Sequence, residues 1–418
     1  MKQICLFSCF FFMMLLSSCG GSNPSYAPVY REPAATTRPD QPEVVMHHAH
    51  YAAHDSLYLI FRFEDLKQLL DLQQSATRID FVIRAGNTER DMLLLRDTVQ
   101  ITASHKVQGE GSLEVPVKIP ANHVTAGNSM QVRLWLKLAG QERLGTSHRL
   151  YLNPEMLQKD YLMVRANSGR PVFRGFATTA DKLVLWRSND TTAQPLPIRL
   201  FNPAFQPALP PMSAKQEPAP ASQLPVADTI RLQTGDTIRL QQEGLYLFGA
   251  DMPGQSGLLV QEGAYPLVTR VQDLIPPLIY LTTSAERETL YSAKNQKIAV
   301  DNFWMRVAKD KSLARELIRT YYTRVENANR LYTSYKPGWA TDRGMIYIVY
   351  GKPNNISVSG DSETWIYRES EATPYVKFVF TKKENNFTEN HFELIRNREY
   401  EEHWYSTVAK WRAGITNL

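Results

Sequence analysis

The chain has 418 residues, 43% of them hydrophobic, and a formal net charge of +5. That length allows two or three hydrophobic cores. Acidic and basic residues are interleaved, as in Glu399-Tyr400-Glu401-Glu402 beside Arg396 and Arg398, so no concentrated basic face is offered to nucleic acid.

The first eighteen residues read as a signal peptide. Lys2 supplies the positive end, and Ile4 to Leu16 form an apolar run too short to stay in a bilayer as a helix. Leu16-Ser17-Ser18-Cys19 then resembles the bacterial lipobox, which implies cleavage before Cys19 and lipidation of its thiol. The alternative is an ordinary secretory signal with a chance cysteine. The three cysteines are Cys5, Cys9 and Cys19. With two removed and one acylated, the mature chain has no disulfide, thiolate metal site or cysteine nucleophile. Residues 19–43 are a tether punctuated by Pro24, Pro28, Pro33, Pro39 and Pro42. It is too poor in apolar side chains to fold, and at about 3 Å per residue it reaches roughly 60–70 Å.

Residues 44–152 alternate apolar and polar positions, as in Leu57, Leu59, Phe61 and Phe63, and again in Val132, Leu134, Leu136 and Leu138. Period two with turn signals between the runs predicts a β-sandwich of immunoglobulin-like type. At its start, His47, His48, His50 and His54 fall within eight residues. On a strand, His48, His50 and His54 share one face, making them candidate metal ligands, although a third imidazole at His54 stands far from the other two. The reading without metal is a solvated first strand, and no metal or cofactor is expected.

Residues 153–280 read as a second β domain. Asp228 to Gly235 nearly repeats in Asp236 to Leu240, which predicts a hairpin with Thr234-Gly235 at its tip. The segment 203–225, rich in proline, alanine and glutamine, reads as a long exposed loop.

Over 283–418 the period changes to 3.6. Thr283 with Glu286 has capping-box spacing, and the helix it opens carries on through Phe303, Trp304, Val307 and Ala308. A second helix begins near Ser312, with Leu313, Leu317, Ile318, Tyr321, Val325 and Ala328 on one side, and stops at Lys336-Pro337-Gly338. Strands are predicted for Met345 to Gly351, Glu363 to Arg368, Tyr375 to Lys382 and Phe387 to Ile395, then a helix over Glu401 to Trp411. The expected protein is therefore multidomain: two all-β sandwich-like domains, then an α+β domain with helices first and an antiparallel sheet after.

The run Gly338-Trp339-Ala340-Thr341-Asp342-Arg343-Gly344, with the helix Tyr321 to Asn329 and the pair Phe303-Trp304, resembles the GWxTD domain over residues 285–412. That is a family of bacterial envelope proteins with no established activity. Where the family often has Arg-Asp-Pro after Phe-Trp, this chain has Met305-Arg306-Val307. The resemblance points to Bacteroidetes. No aspartate and no acidic cluster follow Cys19, so the expected location is the outer membrane, on its periplasmic side rather than the cell surface.

Gly338 permits a turn, Trp339 offers an apolar plate with one donor, and Thr341 and Asp342 can accept backbone N–H groups. Arg343 can fork onto a carboxylate such as Glu326. These residues read either as a staple locking a corner or as a recognition surface for a sugar or a partner side chain. Asp361 and Glu363, with Glu369 and Glu371 beyond, have the spacing of paired acids, which is common in polar loops. The resulting expectation is a lipid-anchored envelope protein with a structural or partner-binding role. Its expected partners are the membrane, through Cys19, and an envelope protein or glycan. A cell-wall or glycan hydrolase, or a glycan-binding module, is the alternative.

Overall fold

In the computed structural model, residues 43–188, 195–202, 205–215, 224–252, 254–359, 361–368, 375–383, 385 and 387–415 are described. The signal peptide, Cys19, the tether up to residue 42, Glu369 and Glu371 lie outside them, as do 203, 204 and 216–223 of the proline-rich segment.

The period-two runs become strands with one face inward. β1 (Val44–Ala53), β2 (Ser56–Asp65), the single turn α1 (Leu72–Ser75), β3 (Ala76–Arg84), β4 (Leu93–Gln100), β5 (Leu113–Pro120), β6 (Ser129–Leu138) and β7 (Gln141–Tyr151) build the first domain. Its sheets have the orders β1-β2-β5 and β4-β3-β6-β7, antiparallel throughout. Leu57, Leu59, Phe61 and Phe63 from one sheet meet Ile79, Phe81, Met130, Val132 and Leu134 from the other in a single core. β4 pairs with β3 rather than with β5, a variation on the constant-type immunoglobulin order.

The first described residue is held from two sides. The Glu43 N–H donates to Asp65 Oδ1 at 2.8 Å, and its carbonyl accepts from Leu66 at 2.9 Å. Its carboxylate lies 3.4 Å from Lys352 Nζ of the C-terminal domain.

The second domain also has two sheets. Its strands are β8 (Tyr161–Arg165), β9 (Phe176–Thr178), β10 (Leu183–Arg187), β11 (Pro195–Phe201), β12 (Val226–Gln233), β13 (Thr237–Ile238), β14 (Gly244–Phe248) and β15 (Ser256–Gln261). The orders are β13-β10-β8 and β12-β11-β14-β15-β9, with β9 parallel to β15. The predicted hairpin does not form. β12 pairs with β11, whereas β13 pairs with β10 in the opposite sheet. Gly235, at φ +89°, turns the corner and donates to the Leu185 carbonyl at 2.9 Å. Leu232 and Leu240 both enter the core between the sheets, so the near-repeat straddles the sandwich instead of lying within one face.

β14 is buried on both sides. Tyr246 and Phe248 face the sandwich core, while Leu245 and Leu247 pack with Phe201, Tyr335 and Phe387, bridging to the C-terminal domain. Beyond β15, the short helix α2 (Val271–Leu274) and the turn over Pro276–Tyr280 follow. They place Ile275, Leu278 and Tyr280 in the C-terminal core.

Thr283 accepts from Glu286 N and opens α3 (Ser284–Ser292) as the capping box requires. The helix does not continue to Ala308. Asn295 accepts from Ile298 N at 3.1 Å and starts a separate helix, α4 (Gln296–Ala308). α5 (Lys311–Tyr332) is capped by Asp310 and buries Leu317, Tyr321, Val325 and Ala328. It ends four residues before Lys336.

Met345 to Tyr350 is helix, not strand. α6 (Asp342–Tyr350) is buried at all nine positions, and a short run of apolar residues suits a fully buried helix as well as a buried strand. Its ends decide the matter. Thr341 caps the start, and Gly351 at φ +85° stops it, with Arg324 Nη1 donating to the last carbonyls, Ile348 and Val349, at 3.2 and 3.1 Å. The sheet is β16 (Asn355–Ser359), β17 (Ser362–Tyr367), β18 (Val376–Lys382) and β19 (Phe392–Leu394), antiparallel in that order, and α7 (Glu401–Arg412) closes the domain. β16 is unanticipated, and β19 is shorter than the predicted Phe387 to Ile395 because Asn385 turns the chain by accepting from Phe387 N and Thr388 N, both at 2.9 Å. Trp304, Trp365 and Trp411 are the largest fully buried side chains.

Gly257 N donates to the Phe387 carbonyl at 3.0 Å across the boundary between the second sandwich and the C-terminal domain. A Cβ there would lie 2.2 Å from that oxygen. Gly257→Ala is expected to cost about 1–3 kcal/mol, as overpacking does, and to lower the thermal midpoint in calorimetry, while Gly175→Ala, where a Cβ meets nothing within 4 Å and φ is not positive, should stay much closer to wild type.

Candidate functional site

The corner between α5 and α6 is built on backbone contact. A Cβ on Gly338 would stand 2.0 Å from the Ala328 carbonyl, and one on Gly344 would stand 1.8 Å from the Gly338 carbonyl. Two glycines therefore let the turn lie directly on α5 and let α6 start directly on the turn. Thr341 Oγ1 donates to the Gly338 carbonyl at 2.8 Å and accepts from Gly344 N at 3.0 Å, capping α6. Asn329 of α5 accepts from Trp339 N at 3.0 Å and donates to the Pro266 carbonyl at 3.2 Å.

Asp342 and Arg343 are 2% and 6% exposed. The Asp342 carboxylate accepts from Leu394 N at 2.6 Å and from Arg396, Nη2 to Oδ1 at 2.5 Å and Nη1 to Oδ2 at 3.2 Å. It also sits in the first turn of α6, where the helix dipole favours a negative charge. Arg343 does not reach Glu326. Its Nη1 donates to Glu363 Oε2 at 3.0 Å, and its Nη2 donates to the Asn390 carbonyl and Oδ1 at 2.9 and 2.5 Å. The guanidinium lies 4.0 Å from the Phe392 ring centre. Glu363 Oε1 accepts from Trp365 Nε1 at 2.6 Å, and Asn390 Nδ2 donates to the Leu331 and Thr333 carbonyls. Glu326 instead accepts from Val268 N at 3.1 Å. Local spacing favoured Glu326, whereas sheet register delivers Glu363, twenty residues on.

At Asp342 and Arg343 the geometry is that of a staple. Both charges are consumed inside the fold, tying α6 to β17, to β19 and to the loop before it. Asp361 and Glu363 do not form an acid pair, because Glu363 is buried against Arg343 while Asp361 is exposed in the turn between β16 and β17.

Trp339 is half-buried, and its outer neighbour comes from the segment expected to be an exposed loop. Residues 205–212 run over the corner. Phe205 stands edge-on to Trp339, with ring centres 6.2 Å apart. Ala208, 4% exposed, joins the C-terminal core, and Met212 packs beside it. Ala208 N donates to the Ala340 carbonyl at 2.9 Å, and Lys336 Nζ to the Gln206 carbonyl at 3.1 Å. Arg396 Nη2 donates to the Leu209 carbonyl at 3.2 Å, and Asn397 N to the Pro211 carbonyl at 3.1 Å. Proline-rich composition signals an extended chain whether or not it is docked, so nothing in the sequence marks this strap. Asn390 and Arg396 carried no local signal either.

Of the four histidines, only His54 departs from the expected arrangement. His48 and His50 share a face of β1, with ring centres 6.4 Å apart. His47 points to the other side and bonds Glu64 at 3.1 Å. His54 sits in the turn after β1 at φ +53°, exposed and off the strand. No three histidine, cysteine, aspartate or glutamate side chains converge as a metal site among the described residues. His148 of β7 feels the charges of His47 and His48.

Residues 244–413 match the GWxTD domain family. The chain carries a GWxTD domain. The match begins at Gly244, in the strand whose outer face packs against the C-terminal domain, well upstream of the helices on which the resemblance rested. No curated protein matches the chain.

Replacing Glu363 with Gln leaves Arg343 buried without its counter-charge and should cost about 3–5 kcal/mol, whereas Glu326→Gln keeps its acceptor oxygen and should stay within about 0.5 kcal/mol in urea unfolding.

Desolvation holds the pKa of His48 and of His148 down at about 4, from 6.5, and Lys159, Lys382 and Glu389 also face His48. Between those values the unfolded chain binds more protons than the folded one, so stability falls as pH drops through that window. The urea midpoint should fall between pH 7 and pH 4.5, and less steeply in His48→Gln.

Proposed function

We propose that this is a lipid-anchored protein of the bacterial envelope whose GWxTD domain and β-sandwiches hold a partner rather than transform a substrate. One observation supports the holding role above all: Asp342 and Arg343, the charged residues of the motif, are spent on fixing α6 against β17 and β19. Residues placed this way shape a scaffold. The two sandwiches add strand edges and loops of the kind that commonly carry recognition.

The anchor rests on the sequence alone. Lys2, the apolar run to Leu16 and Leu16-Ser17-Ser18-Cys19 support acylation at Cys19. No helix among the described residues is long and apolar enough to cross a membrane. The absence of an aspartate or an acidic cluster after Cys19 favours the periplasmic side of the outer membrane.

Expression with a palmitate label tests the anchor. Wild type should incorporate it and sediment with membranes, and Cys19→Ser should do neither. Mild crosslinking of the acylated chain should then capture a defined envelope partner that is absent from a Glu363→Gln control. A labelled, membrane-bound chain that captures nothing above background would remove the holding role while leaving the anchor intact.

A further inference from the structure

The strap over the GWxTD corner has the arrangement of a bound peptide. It enters from the connection between β11 and β12 of another domain and adds no strand to the sheet it crosses. Within Phe205-Gln206-Pro207-Ala208-Leu209-Pro210-Pro211, the positions turned to the domain recur every third residue. Phe205 meets Trp339, while Ala208 and Pro211 are buried; Gln206 and Pro210 are exposed. Three residues per turn is the period of the polyproline II helix, whose carbonyls have no internal partners; the strap leaves that form at Pro210, whose carbonyl accepts from Ser213 N at 3.0 Å. Here Lys336, Arg396 and the Asn397 N–H donate to the carbonyls of Gln206, Leu209 and Pro211. An aromatic plate beside donors that read backbone carbonyls is how proteins recognise proline-rich segments.

We propose that this groove, formed by Lys336, Trp339, Ala340, Arg396 and Asn397, is a binding site for extended proline-rich segments. The chain's own residues 205–212 fill it in cis, and a proline-rich segment of a partner protein takes their place when the strap is displaced. The proposal rests on the partner-holding reading and gives that partner a chemistry: an aromatic residue, a small residue three positions on that fits where Ala208 lies, and a proline three further on. Phe205, Pro207, Leu209 and Met212 are only half-buried, and Gln206 and Pro210 are exposed, so the strap's hold draws on the high effective concentration of a tethered ligand, on the order of mM for short linkers. A trans segment competes only after that advantage is reduced.

The test uses the full chain and a fluorescein-labelled peptide spanning residues 205–212, followed by anisotropy. Phe205→Ala/Met212→Ala removes two half-buried contacts, and Ala208→Asp puts a charge where the strap enters the core. Thermal unfolding confirms which variants remain folded, and the double variant serves alone if Ala208→Asp does not. The folded variant should bind the peptide at least about tenfold more tightly than wild type, since the cis competitor is weakened. A peptide carrying Asp in place of Ala208 should not bind. Absence of binding to a folded variant, or equal binding of the Asp peptide, overturns the proposal. So does a variant that becomes a dimer without taking up peptide, because a second copy's strap is then the occupant. Partner capture by crosslinking is scored separately, so loss of this groove leaves the envelope reading standing.

Discussion

The C-terminal domain depends on one buried carboxylate. Asp342 stands in the first turn of α6, where the helix dipole and its cap already favour an anion, and its oxygens are filled by Arg396 and by the N–H of Leu394. A buried charge without partners costs several kcal/mol, so the end of β19 and the chain just after it have to come to α6. The next residue repeats the device with the opposite sign. Successive helix positions point about 100° apart, and Arg343 therefore reaches a different neighbour, tying the same helix to β17 and to Asn390. Gly338 and Gly344 make this possible by letting backbone lie on backbone. A two-residue charge pair thereby fixes a helix to elements 20 to 54 residues away in sequence.

What the sequence discloses about such a structure follows the range of the interaction. Short-range rules worked. Thr283 with Glu286 opens α3, the stripe from Leu313 to Ala328 faces the core, and the alternating runs of the first domain are strands in two antiparallel sheets. The failures share a cause. The apolar run after Gly344 has no period to read, and only its caps make it a helix. Glu326 looked like the mate of Arg343 because it is near in the chain, but sheet register supplies Glu363. Proline content marked 203–225 as extended and gave no sign that Phe205 to Met212 lies on Trp339. The near-repeat around Gly235 has hairpin chemistry, yet its halves are claimed by different sheets.

The domains also share surfaces more closely than composition shifts imply. β14 belongs to the second sandwich by hydrogen bonding and to the GWxTD domain by its outward leucines. The family match begins at that strand, so the matched unit includes part of the sheet on which Tyr335 and the Phe387 loop rest. A boundary placed where the periodicity changes, near Thr283, separates Ile275, Leu278 and Tyr280 from the core they fill.

Glu43 has a mechanical consequence. Its N–H and carbonyl are bonded to the end of β2 and the residue after it, and its carboxylate to Lys352 just beyond α6. Tension arriving along the chain ahead of it meets the Asp65 and Leu66 bonds before the first β1–β2 pair, Val44 with Asp65. The Lys352 contact, on a lysine side chain 36% exposed, adds little to them.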